Sequence, residues 1–209
     1  MTIEINLQKL ERGTKKEWKT VTRGGKMFRQ RFITGKKDTT KAITDFEAKI
    51  RDQDYETSGV FDDTGNMIFE KSGEKDNVKF TKEEIVKFEG MTLTHNHPQG
   101  DSFSPMDLNF ACAAKMKAIR VTCRGNNKSF MLRTKDGANF KPELWHDNNE
   151  TGVEGLGFIV STYNDDVRGD FEAKIYDGRM TVAEAEGSHW EEVWKRVTEN
   201  DDRIICEEV

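Results

Sequence analysis

The sequence predicts an α/β domain, a mixed sheet flanked by helices, and three observations carry that prediction. Apolar residues recur at helical spacing at Ala42, Ile43, Phe46 and Ile50, and again at Leu108, Ala111, Cys112 and Met116. Short apolar runs bounded by turn residues, around 59–61, 67–69, 91–94, 119–123 and 130–133, read as strands. The two patterns alternate along the chain, as they do in an α/β fold. The 209 residues are 34% hydrophobic and 34% charged, which suits one compact core with exposed arms rather than two cores. The expected division is a basic N-terminal arm or hairpin over 1–39, a core over 40–135 and a partly helical extension over 136–209.

In the arm, Trp18, Val21, Met27, Phe28, Phe32 and Ile33 sit among charges, and Gly24-Gly25 signals a turn between two short strands. Residues 12–41 hold eleven Lys or Arg against Glu17 and Asp38, a local charge of +9. Because the whole chain carries −5, the remaining residues carry −14. A basic arm with interleaved Phe28 and Phe32 is compatible with nucleic acid, although it could also pack on the acidic body, and solvated charge on a small sheet is the commoner meaning of such a pattern.

The first helix is expected over 40–52. The runs at 59–61 and 67–69 flank Asp63-Thr64-Gly65-Asn66, a hairpin turn. Thr81-Lys82-Glu83-Glu84 fits a capping box, opening a helix that should stop at Gly90. A strand over 91–94 then delivers His95-Asn96-His97-Pro98. Ser104-Pro105-Met106-Asp107 opens the next helix, with proline at its first position. Two strands follow across Gly125-Asn126-Asn127. Beyond Lys135 the pattern fades, and residues 136–180 give no readable signal. Thr181-Val182-Ala183-Glu184 is a further capping box, opening a helix that includes Trp190, Val193, Trp194 and Val197, read as packing residues.

Several classes are set aside. No run approaches 18 apolar residues, so no membrane partner is expected. The start, MTIEINLQKLERG, lacks the pattern of a secretory signal. Cys112, Cys123 and Cys206 show no CxxC spacing, which argues against a disulfide framework or a thiolate zinc site and points to a reducing cytoplasm.

The chemistry concentrates in one stretch. His95 and His97 are two apart at a strand end, so the strand period puts both imidazoles on one face. Pro98 ends the strand at once and places the pair at its mouth. Asp107, in the first turn of the following helix, can point back toward them. Two neutral imidazoles and a carboxylate suit one Zn²⁺ per chain, with an open fourth position for water, whose pKa falls to about 7 on such an ion. Taken singly the pieces are ordinary. Ser-Pro-x-Asp is also a plain capped helix start, and a lone HxH is more often no ligand pair. Glu47, Glu70, Glu83 and Glu84 also lie upstream and leave the choice of an acid for proton transfer open, His146 and His189 show no ligand spacing, and Asp101, in the site loop, reads first as a turn former and second as a partner of the ligands.

Thr94-His95-Asn96-His97-Pro98 followed by Ser104-x-x-Asp107 resembles the JAMM (MPN-like) signature of HxHP, a loop, then SxxD. That family also places a glutamate upstream in a stretch like ExxG, matched here by Glu56-Thr57-Ser58-Gly59. The resemblance covers residues 56–133. It implies a cytidine-deaminase-like, MPN-type fold, with zinc on His95, His97 and Asp107, Glu56 as general base and Ser104 stabilising the oxyanion. It also implies a zinc metallopeptidase or isopeptidase acting on a protein or peptide, including ubiquitin-like tails. The loop from His97 to Ser104 is one residue shorter than the family's common spacing. The string HNHPxGxSFSxxDL is similar to phage head-morphogenesis and mobile-element proteins, which implies the host cytosol or a virion as location. The same resemblance admits a non-enzymatic virion scaffold, and the basic arm admits a nucleic-acid-processing protein.

Overall fold

The structure is a computed structural model that describes residues 15–23, 26–34, 39–148 and 152–209. It holds a two-stranded ribbon and, separately, a six-stranded mixed sheet flanked by helices. The ribbon is formed by β1 (Lys15–Arg23) and β2 (Lys26–Thr34), antiparallel in unbroken register from Lys15↔Thr34 to Arg23↔Lys26. The expected turn at Gly24-Gly25 lies outside the described residues.

The body begins with α1 (Thr39–Ile50), then β3 (Thr57–Phe61) and β4 (Met67–Ser72), paired as an antiparallel hairpin. Asp62 organises the turn between them. Its carboxylate accepts the amides of Thr64 and Asn66, both at 2.9 Å, and the Thr64 hydroxyl at 2.7 Å. Next come α2 (Lys82–Ile85), β5 (Thr92–His97), α3 (Pro105–Ala113), β6 (Ala118–Cys123) and β7 (Ser129–Thr134). The chain closes with α4 (Pro142–Trp145), α5 (Leu156–Tyr176), α6 (Val182–Asn200) and β8 (Ile204–Glu208). The sheet order is β4-β3-β5-β6-β7-β8. Only β5 and β6 run parallel, and α3 makes the crossover that a parallel pair requires.

The two sheet faces are covered differently. On one, α1 packs Ile43, Phe46 and Ile50 against Phe61. Gly59 is required there, because a Cβ would meet the Phe46 ring at 2.6 Å. On the same face Glu47 and Arg120 form a buried ion pair (2.6 and 3.0 Å), to which the Thr94 hydroxyl donates at 2.8 Å. Both charges are paired and hydrogen-bonded, the condition under which such a pair is tolerated in a core. The other face carries the main core, where Leu93, Val60, Ile119 and Val121 meet α3, α5 and α6.

Two expectations change in detail. The helix expected from Thr81 to Gly90 is a single α turn behind the predicted capping box, followed by a 3₁₀ turn (Val86–Phe88). That turn sets Phe88 against Phe69 and Phe80, with ring centroids 5.5 and 5.4 Å apart, so packing rather than helix propensity fixes the local path. Residues 136–209, assigned by sequence to an extension, supply the last three helices and the sixth strand of the sheet, and the main core runs through them to Ile204. Among the described residues no helix is long and apolar enough to cross a membrane.

Candidate metal centre

The site sits at the carboxyl end of β5, beside the amino end of α3. Strand alternation fixes its first two members. Thr94 and Asn96 turn toward α1 and its neighbours, whereas His95 and His97 turn toward α3. In the β3–β5 ladder Ser58 lies opposite His95. Continuing that antiparallel register by two residues brings Glu56 level with His97, on the same face as both imidazoles.

The side chains converge. His95 Nε2 and His97 Nε2 are 3.0 Å apart. Asp107 Oδ1 lies 3.2 Å from His95 Nε2, and Asp107 Oδ2 lies 3.7 Å from His97 Nε2. Glu56 Oε1 is 3.7 Å from His95 Nε2. One ligand atom each from Glu56, His95 and His97 falls within a 4.8 Å cluster, so this buried group could hold a metal ion. Nitrogens bound to a tetrahedral zinc at about 2.0–2.1 Å are roughly 3.3 Å apart. The His95–His97 and His95–Asp107 spacings are close to that edge, and the donor set, two imidazoles and carboxylates, is one that zinc accepts.

The surroundings orient each donor. His97 Nδ1 faces Asp101, 3.1 Å from its carbonyl oxygen and 3.3 Å from Oδ1. A proton on Nδ1 satisfies both and leaves the Nε2 lone pair directed into the cluster. His95 Nδ1 is buried with no hydrogen-bond partner among the described residues. Asp107 Oδ2 accepts the backbone N–H of Ser104 at 2.7 Å and its hydroxyl at 2.8 Å. The helix cap therefore also holds the carboxylate in place.

Charge follows from this packing. Burial works against a charged His97, but the Asp101 hydrogen bond and the carboxylates of Asp107 and Glu56 outweigh it and push the imidazole up to about 9. Burial also opposes a charged Asp107, yet His95, His97 and the Ser104 hydroxyl hold its carboxyl well below the usual range. Glu56 shifts upward, driven by burial and only partly offset by the two histidines. One carboxylate is thus held ionised while its neighbour is made a readier proton acceptor and donor, the pairing that acid–base chemistry uses.

All five residues singled out in the sequence (Glu56, His95, His97, Ser104, Asp107) lie in this cluster. The Ser104 hydroxyl, expected at a developing oxyanion, here donates to Asp107. Three further residues support the site, of which only Asp101 is legible in the sequence, as the second choice to a turn former. Asn96 accepts the Thr57 amide at 2.7 Å and donates to the Tyr55 carbonyl at 3.0 Å, clamping the backbone on both sides of Glu56. Asp101, read as a turn former, is the partner of His97. Trp194, read as packing, donates its indole N–H to the Phe103 carbonyl at 2.6 Å and so anchors the short loop between His97 and Ser104. For Asn96 the one available hint was its place between two spaced histidines. Nothing local in the sequence joins residue 194 to residue 103.

No protein-family model matches the chain, and comparisons with curated proteins and with solved structures return no match either.

Proposed function

We propose that the protein is a zinc-dependent hydrolase of peptide or isopeptide bonds, built on a JAMM (MPN-like) fold. The observation that carries this reading is the pair of imidazole nitrogens 3.0 Å apart with two carboxylates of opposite tuning within 4 Å. The order of the elements supports it too, with Glu56 before β3, the histidines at the end of β5 and Ser104-x-x-Asp107 opening α3.

His95, His97 and Asp107 would hold the ion. When bound, zinc supplies a Lewis acid that polarises the scissile carbonyl and makes a water acidic enough to lose a proton near neutrality. The chain's own residues do the rest. Glu56, buried and raised in pKa, takes the proton from the attacking water and returns it to the leaving amine. Ser104 holds Asp107 and, by rotating its hydroxyl, can donate to the oxygen of the attacked carbonyl. Asp101 keeps the His97 proton on Nδ1.

Elemental analysis tests the site directly. Wild type is expected to carry close to one zinc per chain, and His97→Ala to carry almost none. Equal zinc in both would place the metal elsewhere and overturn the reading. Glu56→Gln should keep its zinc while hydrolysis of a fluorogenic amide on a ubiquitin-like tail falls about a hundred- to ten-thousandfold. Zinc loss in Glu56→Gln would make Glu56 a ligand rather than the base.

A further inference from the structure

Trp194 holds the far end of the loop over residues 98–103, and the turn between β6 and β7 meets its near end. In the parallel β5–β6 ladder Cys123 lies beside His97, so the two side chains share a face. The Cys123 thiol donates to the Asp101 carbonyl at 3.1 Å, and His97 Nδ1 lies 3.1 Å from that same oxygen. A carbonyl oxygen has two lone pairs, enough for both. Within the turn, Asn126 Nδ2 donates to the Gly100 carbonyl at 3.3 Å. The amides of Gly100 and Arg124 both donate to the His97 carbonyl, at 3.0 and 3.3 Å. Gly100 has a φ of +85°, and a Cβ there would stand 2.8 Å from the Arg124 carbonyl, so glycine is what lets loop and turn approach this closely. Arg124 also reaches Asp54, two residues ahead of Glu56, but that ion pair is exposed and contributes little. Cys123 is fully buried and supplies none of the cluster's ligand atoms.

We propose that Cys123 and Asn126 are positioning residues for the metal, which fix the Asp101 and Gly100 carbonyls and, through the first of them, the orientation of the His97 imidazole. The proposal rests on the metal reading of the site and is independent of the bond that is hydrolysed. A loop free to swing would let the His97 ring turn and carry its Nε2 away from His95 Nε2, now 3.0 Å distant. Partners one hydrogen bond removed from a ligand are typically worth ten- to a hundredfold in metal affinity. Cys123 carries the larger share, because water can replace the exposed Asn126 amide but cannot reach the buried thiol.

Competition for zinc between the full chain and a chromogenic chelator tests this. Cys123→Ala should bind zinc about tenfold more weakly than wild type, and Cys123→Ala/Asn126→Ala more weakly still, by up to about a hundredfold. Cys123→Ser, which keeps a donor, should recover most of the loss. Cys112→Ala removes an equally buried thiol from α3 and should keep the affinity of wild type. A second readout needs no zinc. In ¹H–¹⁵N spectra of metal-free protein the His97 Nδ1–H signal should be sharp in wild type and in Cys123→Ser, and broadened by exchange with water in Cys123→Ala. Wild type that binds no zinc would overturn the metal reading itself, and the Nδ1–H signal would still decide whether Cys123 positions His97. Unchanged affinity with an unchanged signal in Cys123→Ala, no recovery in Cys123→Ser, or an equal loss of affinity in Cys112→Ala would each overturn the proposal.

Discussion

The two imidazoles of β5 differ in how their far nitrogens are treated, and that difference shows what sequence can and cannot convey. His97 Nδ1 is engaged by Asp101, whereas His95 Nδ1 is buried and has no partner among the described residues. The pair itself was legible, because a period of two at a strand end fixes a shared face whatever the tertiary fold. Glu56 was legible only through the ExxG spacing, whose glycine proves to be where the Phe46 ring presses. Asn96 was not, because its partners at Tyr55 and Thr57 are some forty residues away in sequence. Its position has a testable consequence. Asn96→Ala removes the clamp from both flanks of Glu56 and leaves the buried Thr57 amide unpaired, at about 1–3 kcal/mol, while the carbonyl of exposed Tyr55 can turn to water. Zinc content should stay near that of wild type while amide hydrolysis falls at least tenfold. The double variant Asn96→Ala/Glu56→Gln should be no slower than Glu56→Gln alone, since both losses act through one carboxylate. Additive losses would give Asn96 a role unconnected to Glu56.

At the scale of elements, strands bearing β-branched and apolar runs were the readable part, and long-range helices were not. The buried side of α5 is Leu156, Val160, Val167 and Phe171, a helical stripe broken by a polar middle at Asn164, Asp165 and Asp166 and confused by exposed Phe158. The same helices decide how the metal loop is held. Trp194 on α6 is buried, lies edge-on to Phe103 at 6.3 Å and caps its carbonyl. Trp194→Phe keeps most of the apolar volume but leaves that carbonyl unpaired, a loss of about 1–3 kcal/mol. The loop carries Asp101 and leads into Ser104, so weaker zinc retention should accompany the lower stability. Competition with a chromogenic chelator would reveal it. A variant as stable as wild type, or one that loses stability but holds zinc equally well, would uncouple α6 from the site. Gly59→Ala offers the complementary case on the opposite face. The new methyl would force Phe46 aside and cost about 1–3 kcal/mol by overpacking, read as a lower Tm.

For the whole molecule, the site couples metal, protons and folding, and the sign of that coupling can be worked out. In metal-free protein the His97 pKa is raised from the ordinary 6.5 to about 9. Its protonation therefore contributes stability that is fully present below about pH 6.5 and is lost as pH rises through about 9. Asp107, held below its ordinary 3.8, contributes in the opposite sense, its share present above that value and lost only in acid. A metal ion takes the place of the His97 proton, because the ligand must be neutral. Proton competition then weakens metal binding below the His97 pKa and fades above it. The stabilisation by metal should accordingly grow from pH 6.5 to pH 9, even as the metal-free protein weakens. With free zinc at a hundred times its dissociation constant the gain is about 2.7 kcal/mol. For a chain of this size that corresponds to roughly 5–10 °C in Tm. Thermal melts with and without a chelator, at pH 6.5, 7.5 and 9, measure the difference directly. A chelator effect that is the same at all three values, or one that shrinks with rising pH, would mean that His97 does not exchange its proton for the ion. His97→Ala provides the reference, since it should show no chelator effect at any pH.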